Sequence, residues 1–200
     1  MSVTVKTKEE YGLPDIKENF YPSGYYFLSM PQNDREVFYS LLQRMQPKSY
    51  FEFGTGRGTS IDTVRAVMPE CEIVSMDIRD PRETRKLNAG LGPIDNKASY
   101  IICNSHGWKI PALYYGHFDV VLVDGGHNMP CVVADTAKAL QIVRPDGMII
   151  WHDLNLDLPD MQPYPYLSKY FPYEVTWIKD TTIGLWVNDP YIKPIGALYE

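Results

Sequence analysis

Short apolar runs alternate with segments of helical periodicity along most of the chain. Five runs rich in Val, Ile, Phe and Tyr predict strands: SYFEFG, CEIVSMDI, SYIICN, FDVVLVDGG and GMIIWHD. The first predicted helix, DREVFYSLLQRMQ, repeats apolar residues at helical spacing and has Asn33 or Asp34 as its predicted N-cap. Continuous apolar strands that alternate with helices are typical of a parallel sheet covered on both faces.

Two further apolar runs follow a proline-rich connection at residues 154–172. They read YEVTWIKD and TIGLWVN, and a tight turn joins them, so they predict an antiparallel hairpin. Such a hairpin adds one antiparallel strand to an otherwise parallel sheet. The pattern therefore predicts an α/β fold with a mostly parallel, seven-stranded sheet.

An aromatic run interrupts this pattern near the N-terminus. It reads YPSGYYFLSMPQ and is broken by Pro22, Gly24 and Pro31. We predict that residues 1–32 form an N-terminal segment packed on a single domain, residues 33–200. A chain of 200 residues, 44% of them hydrophobic, suits one domain with one core.

Charge and cysteine content restrict the partners and the compartment. The formal net charge is −6 without a basic cluster, which argues against nucleic-acid binding because phosphate neutralisation dominates that affinity. No apolar run approaches the roughly 18–20 residues of a membrane span, and MSVTVKTKEE is not a signal peptide. Cys71, Cys103 and Cys131 are widely spaced. We therefore expect reduced thiols and a cytoplasmic protein without membrane or nucleic-acid partners.

A glycine-rich turn, FEFGTGRGTS, follows the first of these strands. In an open α/β sheet, ligands bind beyond the carboxyl ends of the strands, so this turn is placed to bind one. Gly54, Gly56 and Gly58 give the spacing G-x-G-x-G, whereas the dinucleotide fingerprint G-x-G-x-x-G would need a glycine at Thr59. No G-K-[ST] follows, so a phosphate-binding P-loop is also missing.

Two acidic residues accompany this turn. Glu52 lies two residues before Gly54, where a carboxylate would repel a pyrophosphate but suits a cationic ligand. Asp77 ends the second predicted strand, 21 residues after Gly56, a position from which a carboxylate commonly binds ribose hydroxyls. The alternative for Asp77 is a helix-capping acid before DPRE. The turn and its acids favour a cationic ligand over an anionic one.

A known family shares these features. The pattern E-x-G-x-G-x-G with an acid ending the second strand resembles the class I S-adenosylmethionine-dependent methyltransferases. VDGGHNMPCVVAD and RPDGMIIWHDL resemble, more narrowly, a small-molecule group with D-G-x-H after the fourth strand and H-D after the fifth. The resemblance covers about residues 33–188. It implies a Rossmann-like three-layer sandwich and S-adenosylmethionine as the cofactor.

The resemblance also implies which residues contact the cofactor. They are Glu52, Gly54, Gly56, Gly58, Asp77, Ile78, Asn104, Ser105 and Asp124. Glu52 and the glycines are expected at the methionine and ribose end, Asp77 at the ribose hydroxyls and Ile78 against the adenine. The two residues after the third strand are expected at the adenine edge, unless they form a solvated loop. Asp124 is expected to face the methionine part or the acceptor.

A second polar cluster follows the fourth and fifth predicted strands: Asp124, His127, His152 and Asp153. Neighbouring strand ends lie side by side, so this cluster is expected where an acceptor presents its nucleophile. In one mechanism, Asp124, His152 and Asp153 bind a divalent metal, with or without His127, and the metal holds a substrate oxygen. Catechol-type methyltransferases resemble this arrangement. His152 stands where they have an acid, so Mn²⁺ competes with Mg²⁺ as the ion.

Two other interpretations of this cluster remain open. Without a metal, His127 or His152 is the general base and Asp124 or Asp153 orients it, since imidazole accepts protons near neutral pH. In a purely structural interpretation, His127 caps the helix that begins near Met129, and His152 and Asp153 satisfy loop backbone. The catalytic candidates are His127, His152 and Asp124.

These residues predict a small-molecule methyltransferase that acts on oxygen. By the resemblance, the absence of an N-P-P-Y-like motif after the fourth strand argues against methylation of nucleobase amino groups. An NAD(P)-dependent oxidoreductase is the alternative enzyme, disfavoured by Thr59 and Glu52, and a catalytically silent SAM-binding or partner-binding module is the other rival. The 15 tyrosines include those of YPSGYYF and PYPYLSKYF, which either roof an acceptor pocket or form a packed surface, such as that of a homodimer.

Overall fold

The computed structural model describes residues 3–13, 30–86, 92–154 and 164–188. Within these ranges, eight strands form one sheet: β1 Val3–Lys6, β2 Ser49–Phe53, β3 Glu72–Asp77, β4 Ser99–Ile102, β5 Phe118–Val123, β6 Val143–Trp151, β7 Val175–Ile178 and β8 Gly184–Val187. The α-helices of the same ranges are α1 Gln32–Met45, α2 Thr59–Val67, α3 Pro81–Lys86, α4 Met129–Ile142 and α5 Tyr164–Tyr170. Short 3₁₀ helices follow β4, at Ser105–Gly107 and Ala112–Tyr114.

The strand order in the sheet is β1-β7-β8-β6-β5-β2-β3-β4. Strands β2 to β6 pair in parallel, and β8 pairs antiparallel with both β6 and β7. This arrangement confirms the predicted mostly parallel α/β sheet with one antiparallel strand from the C-terminal hairpin. The predicted number of seven strands was wrong, because β1 pairs in parallel with β7 as an eighth strand.

Strand β1 lies in the N-terminal segment, where no strand was expected. Val3 pairs with Val175 and Lys6 with Ile178, so its partner lies almost at the other end of the chain. A four-residue edge strand with so distant a partner leaves no distinctive local pattern, because strand formation depends strongly on tertiary context. Most of the aromatic run falls in residues 14–29, outside the described residues, so the domain boundary at residue 33 stays a prediction.

Alternate residues of the central strands pack into two separate cores. In β5, Val120 and Leu122 share a core with residues of α1 and α2, whereas Val121 and Val123 share the other with residues of α4 and α5. Helices therefore cover both faces of the sheet, which confirms the three-layer sandwich. It also explains why the central strands are apolar along nearly their whole length.

The switch point of the sheet lies between β2 and β5. From β2 the chain adds β3 and β4 on one side and then returns to β5 on the other side. The loops that leave β2 and β5 therefore diverge and open a crevice at the carboxyl ends of the strands. This crevice is where the glycine turn and the D-G-x-H stretch were expected to meet.

The predicted aromatic roof over the site lies mostly outside the described residues. YPSGYYF falls within residues 14–29, and residues 155–163 of the proline-rich connection are also outside. Of PYPYLSKYF, Leu167 and Phe171 are buried in the core, whereas Tyr170 is exposed. In the part of the chain that is described, no helix has the length and apolar character needed to cross a bilayer.

Candidate functional site

A cavity of about 500 Å³ opens at the crevice between β2 and β5. The loops that follow β2, β3, β4 and β5 contribute its walls. Residues on these walls that were predicted to contact a cofactor are Gly54, Gly56, Asp77, Ile78, Asn104, Ser105 and Asp124. A concave site of this size suits a small molecule or cofactor. The structure thus brings most of the predicted cofactor residues around one space.

Gly54 brings the loops after β2 and β5 into direct contact. Its φ is +94°, and an added Cβ would lie 2.0 Å from the carbonyl oxygen of Asp124. Both backbones are fixed, because the Asp124 amide donates to Phe53 O at 2.9 Å and the Gly54 amide donates to Met76 O at 2.8 Å. Only glycine fits there. We call this contact between Gly54 and Asp124 the β2–β5 seam.

Gly56 and Asp77 form the wall that was predicted to bind a ribose. The Gly56 amide donates to Asp77 Oδ2 at 2.9 Å, and the Arg79 amide donates to Asp77 Oδ1 at 2.9 Å. Nothing lies within 4 Å of an added Cβ on Gly56, so a ligand can approach this backbone closely. Ile78, 66% exposed, adds an apolar surface beside them. Gly58 precedes α2 in a left-handed conformation and shapes the start of that helix.

Asn104 and Ser105 also line the cavity, just after β4. The side-chain oxygen of Asn104 accepts a hydrogen bond from the His106 amide at 3.0 Å and caps the following 3₁₀ helix. That oxygen is therefore engaged within its own loop, as the solvated-loop alternative requires. Both residues line the cavity, so their contact with an adenine stays a prediction.

Asp135 is a cavity residue that the sequence interpretation missed. It lies on α4, is 2% exposed, and its Oδ1 has no hydrogen-bond partner among the described residues. Burial raises the pKa of its carboxyl, and the Ser105 hydroxyl opposes that shift. Asp135 falls on the face of α4 that is buried with Val132 and Ala139, and only the structure reveals that face.

Glu52 lies beneath the cavity rather than on its wall, which corrects the predicted contact with the methionine end. It is fully buried in β2. Its carboxylate accepts hydrogen bonds from Tyr50 at 2.7 Å, from Ser60 at 2.5 Å and from Ser75 at 2.6 Å. These hydroxyls occupy the oxygens that a cofactor would need. Glu52 therefore supports the cavity indirectly, through Ser60, which lines it.

The buried Glu52 gives the fold a specific pH dependence. Burial raises its pKa from 4.5 to about 7, although the hydrogen bonds from Ser60, Ser75 and Tyr50 oppose the shift. The folded state holds the proton more tightly than the unfolded chain, so this stabilisation is complete below pH 4.5 and is lost as the pH rises through 7. We expect the free energy of unfolding to fall by about 3 kcal/mol from this group over that range.

Urea unfolding of the wild type and of Glu52→Gln across this pH range measures the contribution. The variant carries no ionisable group at this position and is expected to lack that part of the slope. Equal slopes in the two proteins would contradict the assignment to Glu52.

The second predicted cluster assembles around the imidazole of His152, just beyond β6. Nδ1 of His152 lies 3.0 Å from Asp124 Oδ1 and 3.4 Å from Asp153 Oδ2. Nε2 of His127 lies 3.1 Å from the same oxygen of Asp153. The structure thus brings together all four residues of this cluster, and Asp124 also lines the cavity.

A further acid, Asp34 of α1, reaches the other side of the imidazole. Its Oδ2 lies 3.2 Å from Nε2 of His152, and the residue is 1% exposed. The prediction that Asn33 or Asp34 caps the helix was wrong, because α1 begins at Gln32 after Pro31 and has no side-chain cap. An acid near a helix start is ordinarily interpreted as a cap, so only the tertiary structure reveals this contact.

The carboxylates decide the charge of His152. Burial lowers its pKa, but Asp124, Asp153 and Asp34 together outweigh burial and raise the pKa well above its ordinary value. At neutral pH the ring is therefore an imidazolium ion without a free lone pair, which argues against His152 as a general base. Burial raises the pKa of Asp153, but His152 and His127 outweigh it, so the net shift is downward.

Three residues of the cluster have the geometry of a metal site. Asp124, His152 and Asp153 each offer one ligand atom, and these atoms lie within 4.8 Å of one another. One imidazole nitrogen with two carboxylate oxygens suits Mn²⁺, Fe²⁺ or Zn²⁺ better than Mg²⁺. A metal-binding imidazole is neutral, so an ion at this site takes the place of the His152 proton.

The interpretation of His127 as a helix cap was wrong. Asn128 caps α4, since its Oδ1 accepts a hydrogen bond from the Cys131 amide at 3.1 Å. The His127 side chain is 59% exposed and pairs with Asp153 instead. It is therefore the solvent-facing member of the cluster, whereas His152 is the buried one.

A family model described as a methyltransferase domain matches residues 51–154, which is more than half of the chain. The matched range begins in β2 and ends just after His152 and Asp153, so it contains the glycine turn and all four residues of the cluster. No curated protein matches the chain at significant similarity.

Several solved structures share the fold. The O-methyltransferase TomG from Streptomyces achromogenes, solved with SAM, has a TM-score of 0.54 and 17% identity over 79% of each chain. Cofactor-bound Rv0187 from MTB has a TM-score of 0.59 and 16% identity over 91% of this chain and 86% of its own. The SAH-bound methyltransferase PaMTH1 from Podospora anserina has a TM-score of 0.52 and 17% identity over 76% of each chain. These likenesses confirm the predicted Rossmann-like sandwich.

Proposed function

We propose that this chain, which belongs to the methyltransferase domain family, transfers the methyl group of S-adenosylmethionine to an oxygen atom of a small molecule. The observation that carries the proposal is the position of Asp124. This residue lines the cavity, and its Oδ1 lies 3.0 Å from His152 in the neighbouring cluster. A methyl donor in the cavity and an acceptor at the cluster would therefore meet at one side chain.

The cavity fits S-adenosylmethionine in size and in the groups it presents. Asp77 would hold the ribose hydroxyls, the open backbone at Gly56 allows close approach, and Ile78 offers a surface for the adenine. Asp124 places negative charge at the end where the cofactor is positive. When bound, S-adenosylmethionine supplies an electrophilic methyl group on a sulfonium, which becomes a neutral thioether as the acceptor oxygen takes the methyl.

The cluster fits a divalent cation, and we assign its ligands to Asp124 Oδ1, His152 Nδ1 and Asp153 Oδ2. Asp34, Asp124 and Asp153 all lie within ion-pair distance of His152. Their combined negative charge exceeds what one imidazolium neutralises, and a divalent ion compensates it better. When bound, such an ion stabilises the deprotonated form of an acceptor hydroxyl. An oxygen acceptor needs that help, so the cluster favours oxygen over other methyl acceptors.

His127 is the residue of the cluster that we assign to proton movement. Its ring is 59% exposed, and Asp153 lies 3.1 Å from its Nε2, which restrains the ring. An exposed imidazole can accept the acceptor's hydroxyl proton and pass it to water. His152, which is buried, has a role in position and charge instead.

The proposal also includes a reducing compartment and a small-molecule acceptor. Cys71, Cys103 and Cys131 are free thiols in the structure, which supports a reducing compartment such as the cytoplasm. The net charge of −6 supports a small-molecule acceptor rather than a nucleic acid. A silent SAM-binding module is the rival interpretation, and it predicts cofactor binding without turnover.

Cofactor binding and ion dependence test the proposal together. S-adenosylhomocysteine is expected to bind the purified protein in a calorimetric titration, with or without EDTA, because the cavity residues and the ion ligands are largely separate. Turnover is followed as S-adenosylhomocysteine released with a panel of phenols, catechols and hydroxy acids. It is expected to be lost on dialysis against EDTA and restored by Mn²⁺.

Asp77→Ala is the matched control, since it changes the cofactor wall but no ion ligand. It is expected to weaken S-adenosylhomocysteine binding and to leave Mn²⁺ binding intact. Binding of NAD in place of S-adenosylhomocysteine would contradict methyl transfer. Turnover that resists EDTA would contradict the ion and leave proton removal to His127 with Asp153. Cofactor binding without turnover on any acceptor would favour the silent module.

A further inference from the structure

The geometry points to Asp34 as a positioning residue that holds two of the three ion ligands, His152 and Asp153, in place. This inference rests on the ion site of the proposed function. Asp34 lies far from these residues in sequence, at the start of α1, and it touches neither the cavity nor the acceptor side of the cluster directly.

The burial of Asp34 requires a specific set of partners. The residue is 1% exposed, and a buried carboxylate is costly unless it is paired and hydrogen-bonded. Asp34 Oδ1 accepts a hydrogen bond from the Thr182 amide at 2.8 Å, and Oδ2 accepts one from the Thr182 hydroxyl at 2.6 Å. Its remaining partner is the His152 ring, 3.2 Å from Oδ2. These contacts all lead toward the cluster, and none serves as a cap for α1.

The contact with His152 fixes which nitrogen faces the other ligands. Nε2 is buried and forms no aligned hydrogen bond within the described residues, so the 3.2 Å approach of Asp34 is an electrostatic contact. With Asp34 at Nε2, the opposite nitrogen, Nδ1, faces Asp124 and Asp153. Metal-binding histidines commonly direct their second nitrogen to a carboxylate in this way, which sets the tautomer and the ring orientation.

The contact with Thr182 also connects Asp34 to the second ligand, Asp153. The Thr182 hydroxyl donates to Asp34 and accepts a hydrogen bond from the Asp153 amide at 3.2 Å. Asp153 has a φ of +60°, a left-handed conformation that is uncommon for a residue other than glycine. The hydrogen bond to Thr182 therefore helps to hold a backbone that would otherwise relax. Asp34 thus restrains both ligands that follow β6, His152 by direct contact and Asp153 through Thr182.

Binding of Mn²⁺ to Asp34→Asn tests the inference. The variant keeps a side-chain oxygen for Thr182 but loses the charge that faces His152. In a calorimetric titration of the S-adenosylhomocysteine complex, Mn²⁺ affinity is expected to fall about 10–100-fold, the range for loss of a partner behind a metal ligand. Affinity for S-adenosylhomocysteine is expected to stay at the wild-type value. Turnover of the variant is expected to recover as Mn²⁺ is raised to saturation, which a general loss of folding would not allow.

Two companion variants keep the test decisive. Thr182→Val removes only the hydroxyl between Asp34 and Asp153, and it is expected to weaken Mn²⁺ binding less than Asp34→Asn does. Asn33→Ala is the matched control, because Asn33 is the exposed neighbour of Asp34 and bonds only to the Asp180 carbonyl among the described residues, at 3.3 Å. It is expected to bind Mn²⁺ like the wild type.

The outcomes separate this inference from the proposed function. If the wild type, Asp34→Asn and Thr182→Val all bound Mn²⁺ with the same affinity, the role of Asp34 would be overturned. The ion site itself would still stand. Wild-type protein that binds no divalent ion would overturn both. If Asn33→Ala also bound Mn²⁺ more weakly, any substitution at the start of α1 would have this effect. That result would overturn the specific role of Asp34.

Discussion

Gly54→Ala is expected to destroy the cofactor site and to lower the free energy of unfolding by more than about 4 kcal/mol. The added Cβ would lie 2.0 Å from Asp124 O, 2.5 Å from Asp124 C and 2.8 Å from Gly125 Cα, all backbone atoms. The φ of +94° adds strain that a side chain rarely tolerates. Neither strand can retreat, because hydrogen bonds hold β2 to β3 and the end of β5 to β2.

Urea unfolding and calorimetric titration with S-adenosylhomocysteine measure this effect. Gly56→Ala is the matched control: its φ is also positive, +52°, but nothing lies within 4 Å of its added Cβ. Gly56→Ala is expected to lower the free energy of unfolding by only about 1–2 kcal/mol, because alanine is disfavoured in the left-handed conformation. Equal losses of stability in the two variants would contradict a tight β2–β5 seam.

His152→Ala is expected to lower turnover by about 100-fold or more, because it removes one of the three proposed ligands of the ion that would stabilise the deprotonated acceptor. The same substitution removes the imidazole ring that Asp34, Asp124 and Asp153 all contact. Uncompensated buried charge costs about 3–5 kcal/mol, so the variant is also expected to unfold more easily. Affinity for S-adenosylhomocysteine is expected to persist if the variant stays folded, since His152 does not line the cavity.

Turnover, thermal unfolding and cofactor titration of the same sample separate these effects. His117→Ala is the matched control, because His117 is partly exposed, pairs with Glu72 and lies at the opposite, amino-terminal edge of β5. It is expected to leave turnover unchanged. His152→Gln preserves side-chain volume and a hydrogen-bonding group, so it guards against an unfolded alanine variant. Full turnover in a folded His152 variant would show that this imidazole has only a structural role.

The parallel core of the sheet could be predicted because its signal is local. Each strand from β2 to β6 is an apolar run, and each is followed by polar or glycine-rich residues where the chain leaves the sheet. The glycine turn and Asp77 could be placed for the same reason, since both directly follow strands. β1 could not be predicted, because what makes it a strand is β7 at the far end of the chain.

The side chains of the site were predictable only in part. Strands buried on both faces do not show which face adjoins a cavity, so the burial of Glu52 among three hydroxyls was invisible in the sequence. Asp34 was misread because an acid at a helix start has an ordinary local role. Asp135 was overlooked because an acid on a helix is ordinarily exposed, and its burial depends on the elements packed against α4. Wherever a side chain's partner comes from a distant element, local pattern gives no guide to its role.

The β2–β5 seam separates two parts of the site that can be substituted independently of each other. Asp77, Ile78 and the open backbone of Gly56 lie on the side built by β2, β3 and β4. His152 and Asp34 lie on the side built by β6, α1 and the β7–β8 turn. If the proposed function holds, substitutions on the second side would alter the acceptor side while the proposed cofactor wall stays unchanged. Gly54 is the exception, because a substitution there disturbs both sides at once.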